Sequence, residues 1–186
     1  SAAFGTPEYF GGAARGISRI YPKIIDGTAA MGNDLPAMIS LTGFHLSEID
    51  LCVLTHTHSD HVGNIDALPA SIRVLVSPEE LAPIARSGRL LDKLPKDGRI
   101  QRTQRSAAHA VFGAVMPLTQ SGDVYVVATP GHTGGHQSVV IDLGDRRVLL
   151  AGDSAFDDQQ VRDGTIPGIV EDRAATLSTY AVLHRA

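Results

Sequence analysis

The 186-residue chain is 43% apolar and 19% charged, with a formal charge of −4, the composition of one globular domain large enough for a proper hydrophobic core. No basic run points to nucleic acid or an anionic membrane surface, and no acidic tail is present. No apolar stretch approaches the roughly 20 residues that a membrane helix needs.

Cys52 is the single cysteine, which excludes an internal disulfide. Its apolar run, Leu51-Cys52-Val53-Leu54, reads as a buried and inert thiol in a reducing, cytoplasmic setting. The start, Ser1-Ala2-Ala3-Phe4, lacks the basic segment and long apolar run of a signal peptide.

In chain order, residues 17–25 alternate loosely and are rich in β-branched side chains, which predicts a strand interrupted at Pro22. Leu35 to Leu41 predicts a short helix stopped by Gly43, and Asp50 to Thr55 a buried strand. Ile72 to Val76 reads as another strand. Ser77-Pro78-Glu79-Glu80 then supplies an N-cap, a first-turn proline and first-turn acids for a helix to about Arg86. Residues 87–110 are mixed, with Gly88, Pro95 and Gly98, and read as loop with short helix. Strands follow at 124–128, 138–143 and 148–151, the last two joined at Gly144-Asp145, a hairpin signal. Asp172 to Ala186 predicts a helix with Ala174, Leu177, Ala181 and His184 on one face. Strands mixed with helices in this order indicate a layered α/β fold in a single domain, 1–186.

The strongest local signal is Thr55-His56-Thr57-His58-Ser59-Asp60-His61, which holds three of the chain's eight histidines within six residues. In an extended chain residues two apart point the same way, so His56 and His58 can address one metal from a strand end. His61 breaks that alternation, and a turn near Ser59 would let it serve, with Asp60, a second metal. Imidazole and carboxylate together suit zinc and several other first-row metals. The competing reading is a solvated polar loop with chance histidines. For His132 the residues alone leave ligand and surface loop open.

His56-Thr57-His58-Ser59-Asp60-His61 resembles the HxHxDH motif of the metallo-β-lactamase superfamily. Two further segments follow in that family's order. Thr129-Pro130-Gly131-His132-Thr133-Gly134-Gly135-His136 is similar to its TPGHTxGH segment, and Ala151-Gly152-Asp153 to its strand ending in GD. Upstream, Ile24-Ile25-Asp26-Gly27 resembles the strand before the first helix, so the resemblance runs from about residue 24 to 182. It implies a four-layer αββα sandwich, incomplete here at both ends.

The resemblance assigns His56, His58 and His132 to a first metal and Asp60 and His61 to a second, with Asp153 bridging the two. His136 is implied to orient the loop or a ligand. The family's last histidine, beyond a helix after the bridging aspartate, has no counterpart. His184 is the only later histidine and lies on the apolar stripe of the 172–186 helix. Two zinc ions are implied, with iron or manganese as alternatives. The implied chemistry is attack of a metal-activated hydroxide on a carbonyl carbon, with Asp60 and Asp153 as catalytic carboxylates and Asp60 shuttling the proton. No GxSxG motif suggests a serine nucleophile.

Within the superfamily, Pro130 to Val140, with Gly135-His136-Gln137-Ser138, and Asp172-Arg173-Ala174-Ala175 are most similar to the N-acyl-homoserine lactonase branch. The expected substrate is therefore a small lactone or related ester, as in quorum quenching. That branch often has tyrosine three residues after the bridging aspartate, where this chain has Phe156. The alternatives are a thioesterase of the hydroxyacylglutathione hydrolase type, a mono-iron sulfur dioxygenase, and a non-catalytic metal-binding domain.

Overall fold

The computed structural model describes residues 34–82 and 91–186. The expected 17–25 strand, the Asp26-Gly27 segment and the rest of the expected helix beyond Ala82 lie outside them. The described residues fall into two compact units: 34–75 with 91–101, and 76–82 with 102–186.

In the first unit, helix α1 (Leu35–Leu41) forms where expected. Asp34 accepts from the Ala37 N–H at 2.9 Å, proline stands in the first turn, and Gly43 beyond the end has a positive φ of +85°. Strand β1 (Leu51–Val53) pairs in parallel with β2 (Arg73–Val76), Cys52 opposite Val74, and β3 (Ile100–Arg102) lies on the far side of β2. Parallel neighbours need a crossover. Here it is residues 54–72, which carry the short helix α2 (Ser59–Val62) and a 3-10 turn at Ile65–Ala67.

Leu54, Val62, Ile65, Leu68, Ile72, Val74 and Leu75 are buried, so the crossover is anchored by apolar burial on both sides of the histidine segment. Each such side chain is worth about 1.5–3 kcal/mol. The Arg99 guanidinium donates to the carbonyls of Leu68 and Pro69 at 2.9 and 2.5 Å and closes its far end. Cys52 is only half-buried, less than its apolar run suggests. Desolvation nevertheless pushes its thiol pKa above the usual value, against the opposing pull of Arg99.

The second unit opens with a 3-10 turn at Pro78–Leu81 where the first turns of an α-helix were expected. The Ser77 hydroxyl is spent on the Glu79 carboxylate rather than on a backbone N–H, so the expected cap is not made. The body of this unit is an antiparallel meander: β4 (Ala107–His109), β5 (Gly113–Pro117), β6 (Val124–Ala128), β7 (Gln137–Asp142) and β8 (Arg147–Leu150). The last three match the sequence reading, including the hairpin, where the Leu143 N–H reaches Arg146 O at 2.9 Å and Gly144 takes φ +85°.

Strands β4 and β5 had no clear local signal. β4 is three residues of Ala-Ala-His, and β5 is bracketed by Gly113 and Pro117, both strand breakers. Long-range packing makes them: Val115, Tyr125, Val127 and Val140 form a buried cluster on one face, with Ala107, Phe112 and Leu149 packed against it. His109 closes the β4–β5 hairpin by accepting from the N–H groups of Val111 and Phe112 at 3.2 and 3.3 Å.

After β8 come a 3-10 turn at Gly152–Ser154, helix α3 (Asp158–Asp163) and helix α4 (Arg173–Leu183). Asp172 caps α4 by accepting from Ala175 N at 3.0 Å. Its buried face is Thr176, Thr179 and Tyr180, not the expected stripe. Ala174, Leu177, Ala181 and His184 are exposed, and it is the opposite face, through Thr179 and Pro130 O, that engages the loop before β7. Among the described residues no helix is long and apolar enough to cross a membrane.

Candidate metal centre

In the first unit, Leu54 N still donates to Leu75 O at 3.0 Å, so the ladder carries the chain to the edge of the histidine segment. His56 and Thr57 are then fully buried and His58 half-buried. His58 is the extended N-cap residue of α2, its carbonyl accepting from the N–H groups of His61 and Val62 at 3.1 and 3.2 Å. This is the turn that the alternation required: the chain passes from an extended His58 into the helix at Ser59, and Val62, fully buried, pins the short helix.

The helix returns His61 to the others. Ring centroids of His56 and His58 are 4.7 Å apart, edge to face, and those of His56 and His61 are 4.1 Å apart. A ligand atom of His56 lies within 4.8 Å of one on His58, and likewise of one on His61. Asp60 stands at the rim, its Oδ2 3.7 Å from His61 Nε2 and its side chain 41% exposed. Thr55 Oγ1 lies 3.1 Å from His56 Nδ1. This unit therefore gathers three imidazoles and a partly solvated carboxylate from six consecutive residues.

In the second unit the donors come from distant positions. His132 is buried in the loop between β6 and β7, and its Nδ1 lies 2.8 Å from Ile169 O. A carbonyl oxygen only accepts, so Nδ1 carries a proton there and Nε2 is the ring nitrogen turned away from that carbonyl. That Nε2 lies 3.4 Å from Asp153 Oδ2, in the turn after β8.

His136 fixes the same turn from behind. Its Nε2 accepts from the Asp153 N–H at 3.1 Å, so its Nδ1–H donates to Thr129 Oγ1 at 2.8 Å. The chain of bonds continues in one direction: Thr129 to Ser138 Oγ at 2.8 Å, and Ser138 to Ala151 O at 3.0 Å. His136 thus joins the loop carrying His132 to the turn carrying Asp153.

The loop itself is clamped from two sides. On one side, Glu171 N and Asp172 N donate to Gly131 O at 3.0 Å, Glu171 accepts from Gly134 N at 2.7 Å, and Thr179 donates to Pro130 O at 2.7 Å. Gly131 has φ +141°, and a Cβ there would lie 2.7 Å from the Thr176 backbone, so only glycine fits. On the other side is Glu80, fully buried, whose Oε1 accepts from the Thr133 hydroxyl and from Gly135 N, the latter at 3.1 Å. Its neighbour Glu79 faces solvent, where the Ser77 hydroxyl and, less strongly, Arg105 hold its carboxyl below the usual range. Glu80 and Glu171 went unread in the sequence: each partners a loop more than 30 residues away, and nothing local marks either as functional.

Residues 17–183 match the model of the metallo-beta-lactamase superfamily. The chain belongs to that superfamily. Among curated relatives, this metallo-β-lactamase chain is 25% identical over 186 residues to the N-acyl homoserine lactonase AttM of Agrobacterium fabrum, covering 92% of this chain and 66% of that protein. It is 31% identical over 127 residues to a probable metallo-hydrolase of Mycobacterium tuberculosis, covering 63% and 41%. The chain thus spans less than two thirds of the length of these relatives. Among solved structures, a B. thuringiensis AiiA variant with N-decanoyl-L-homoserine bound superimposes with a TM-score of 0.66 at 19% identity, covering 84% of this chain and 58% of that one. An N-acyl homoserine lactone hydrolase with product at its catalytic metal centre gives 0.64 at 19%, covering 81% and 56%. These likenesses show the α/β metallo-β-lactamase fold.

Phe156 and His184 both line a cavity of about 500 Å³ in the second unit, with Leu149, Ala155, Val161 and Leu183. His184 is the exposed C-cap residue of α4 and joins none of the groups of closely spaced ligand atoms among the described residues.

Proposed function

We propose that the protein is a metal-dependent hydrolase that opens a lactone or related ester, with an N-acyl-homoserine lactone as the favoured substrate class. The observation that carries the reading is His132. Its Nδ1–H is committed to Ile169 O and its Nε2 stands 3.4 Å from Asp153 Oδ2, an arrangement that suits a metal-ligating imidazole oriented by a backbone carbonyl. With the three-histidine cluster at 56–61, the donor set of imidazoles and carboxylates fits two zinc ions, or iron or manganese in the same positions.

In this reading His56, His58 and His132 hold one ion, Asp60 and His61 the other, and Asp153 both. Bound there, two such cations supply Lewis acidity toward a carbonyl oxygen and lower the pKa of a water toward neutrality. Asp60 suits the proton transfer: its partly exposed carboxylate beside His61 can take a proton at Oδ and hand it to the leaving oxygen. His136 and Thr129 keep Asp153 fixed while charge develops.

The substrate is a small molecule, not nucleic acid or a membrane, and the setting is the cytoplasm. The relationship to the lactonase AttM, together with the fold shared with structures holding N-acyl-homoserine products, supports the lactone. The second reading is a thioesterase of the hydroxyacylglutathione hydrolase type, which would use the same ligand set; Phe156 weighs against the lactone, since it offers no hydroxyl where the lactonase branch often has tyrosine. Metal analysis of the purified protein with a screen of homoserine lactones and acyl thioesters tests both. Bound divalent metal with lactone turnover is expected. Turnover of thioesters alone would move the assignment to the second reading, and a metal-free, inactive protein would end both.

A further inference from the structure

Glu80 is fully buried and comes from the 3-10 turn after β2, far in sequence from the loop it meets. A carboxylate rarely reaches a core without a specific partner, because the cost of desolvation must be offset by strong hydrogen bonds. Its Oε1 receives two, from the Thr133 hydroxyl and from Gly135 N at 3.1 Å. Thr133 directly follows His132, and Gly135 directly precedes His136. One oxygen atom therefore holds the loop between the two histidines.

The loop's own bonds converge there as well: Thr133 O accepts from Gly131 N at 3.0 Å and from His136 N at 3.3 Å. Gly135 is tailored to the contact, since a Cβ on it would stand 2.8 Å from the Glu79 carbonyl carbon. The opposite side of the loop is held by Glu171 and α4, so Glu80 supplies the second jaw of a clamp whose first jaw stands before α4. Without it, Thr133 and Gly135 lose a shared acceptor in the core, and the peptide that aims His132 is held on one side only.

We propose that Glu80 is a positioning residue: it fixes the Thr133–Gly135 peptide so that His132 Nε2 and His136 Nε2 both meet the Asp153 turn, and thereby sets the metal affinity of the second unit. The proposal rests on the reading of His132 and Asp153 as ligands. It concerns hydrogen-bond acceptance by one oxygen, so an amide can replace the carboxylate in part, whereas a methyl cannot.

The test uses the full chain with Glu80→Gln, Glu80→Ala, Thr133→Val and His132→Ala. Cobalt(II) is titrated into each, with its visible absorption spectrum and stoichiometry recorded, and the melting of the metal-free forms is followed in parallel. Glu80→Ala should weaken cobalt binding by about tenfold to a hundredfold and alter the visible bands, Thr133→Val should weaken it less, and Glu80→Gln should restore most of it. A purely structural role would lower melting temperature with affinity and spectrum unchanged, and that result in Glu80→Ala overturns the proposal. Should Glu80→Ala not fold, Thr133→Val with wild-type affinity overturns it equally. His132→Ala separates the two readings: unchanged binding there removes the ligand assignment itself, whereas lost binding there beside wild-type behaviour of the Glu80 variants removes only the role of Glu80.

Discussion

The two units supply metal-binding residues in opposite ways. The first takes four candidates from six consecutive residues, bent by a single strand-to-helix turn and held by the burial of Leu54 below and Val62 above. The second takes two, His132 and Asp153, from segments 21 residues apart (153 − 132) and fixes them with hydrogen bonds. Those bonds run through Ile169, His136, Thr129, Ser138, Glu80 and Glu171. A locally encoded site takes the spacing of its donors from its own turn. A site assembled from distant segments depends on every tie, so substitutions away from the ligands should matter far more in the second unit.

The largest effect expected is from Asp153→Ala, which removes the carboxylate proposed to hold both cations. Hydrolysis should fall to the background rate and one metal per chain should be lost, with the circular dichroism spectrum retained. Full activity with two metals bound would show that the second unit does not contribute a bridging ligand.

Gly131→Ala sharpens the same contrast without touching a donor. The new methyl has no room beside the Thr176 backbone and the φ of +141° is strained for alanine, so a loss of about 3 kcal/mol is expected, roughly 10 °C in Tm. Gly63→Ala, in the first unit at the C-cap of α2, has an ordinary φ of −59° and should cost far less. Equal losses at the two glycines would erase the distinction drawn between the units.

This contrast also explains what could be read from the sequence. The 56–61 cluster is legible because its spacing is its geometry: an extended stretch to His58, then one turn of helix. His132 and Asp153 were legible only through a resemblance, since no local periodicity connects them. Glu80 does stand in the first turn of a helical segment as expected, but its partners at 133 and 135 belong to a different part of the chain, so nothing local discloses its role. Strands β6 and β7 announce themselves by β-branched runs and β8 by an apolar run after a hairpin signal, whereas β4 and β5 exist through packing against Tyr125 and Val127. In α4 the expected stripe is exposed, and Tyr180 and two threonines are buried instead, the threonines bound to Pro130 O and to Asp172 O.

Phe156→Tyr is a smaller perturbation. Phe156 is 66% exposed, so it does not pack the floor of a site, and a new hydroxyl would meet water rather than be buried unpaired. Melting temperature should change by less than about 2 °C. Lactone turnover should be unchanged or rise modestly, the gain requiring the hydroxyl to reach the reacting oxygen. A clear drop in both would show that this position carries structural weight.

The smallest effect belongs to Cys52 in the first unit. Desolvation raises its thiol pKa, so the thiolate is scarcer at a given pH than for a free cysteine. Alkylation of the native protein should reach half its limiting rate at a pH above that of a cysteine peptide, and unfolding in urea should remove the difference. Reaction at the peptide's pH would mean that the strand leaves this side chain solvated.

The most direct measurement is anomalous diffraction at the zinc edge from crystals of the zinc-loaded protein. The proposed centre predicts one zinc position bonded at about 2.0–2.1 Å to His56, His58 and His132 together, with Asp153 shared with a second position beside Asp60 and His61. Zinc at the 56–61 cluster with the His132 imidazole more than about 8 Å away would contradict it, because no zinc–nitrogen bond spans that distance.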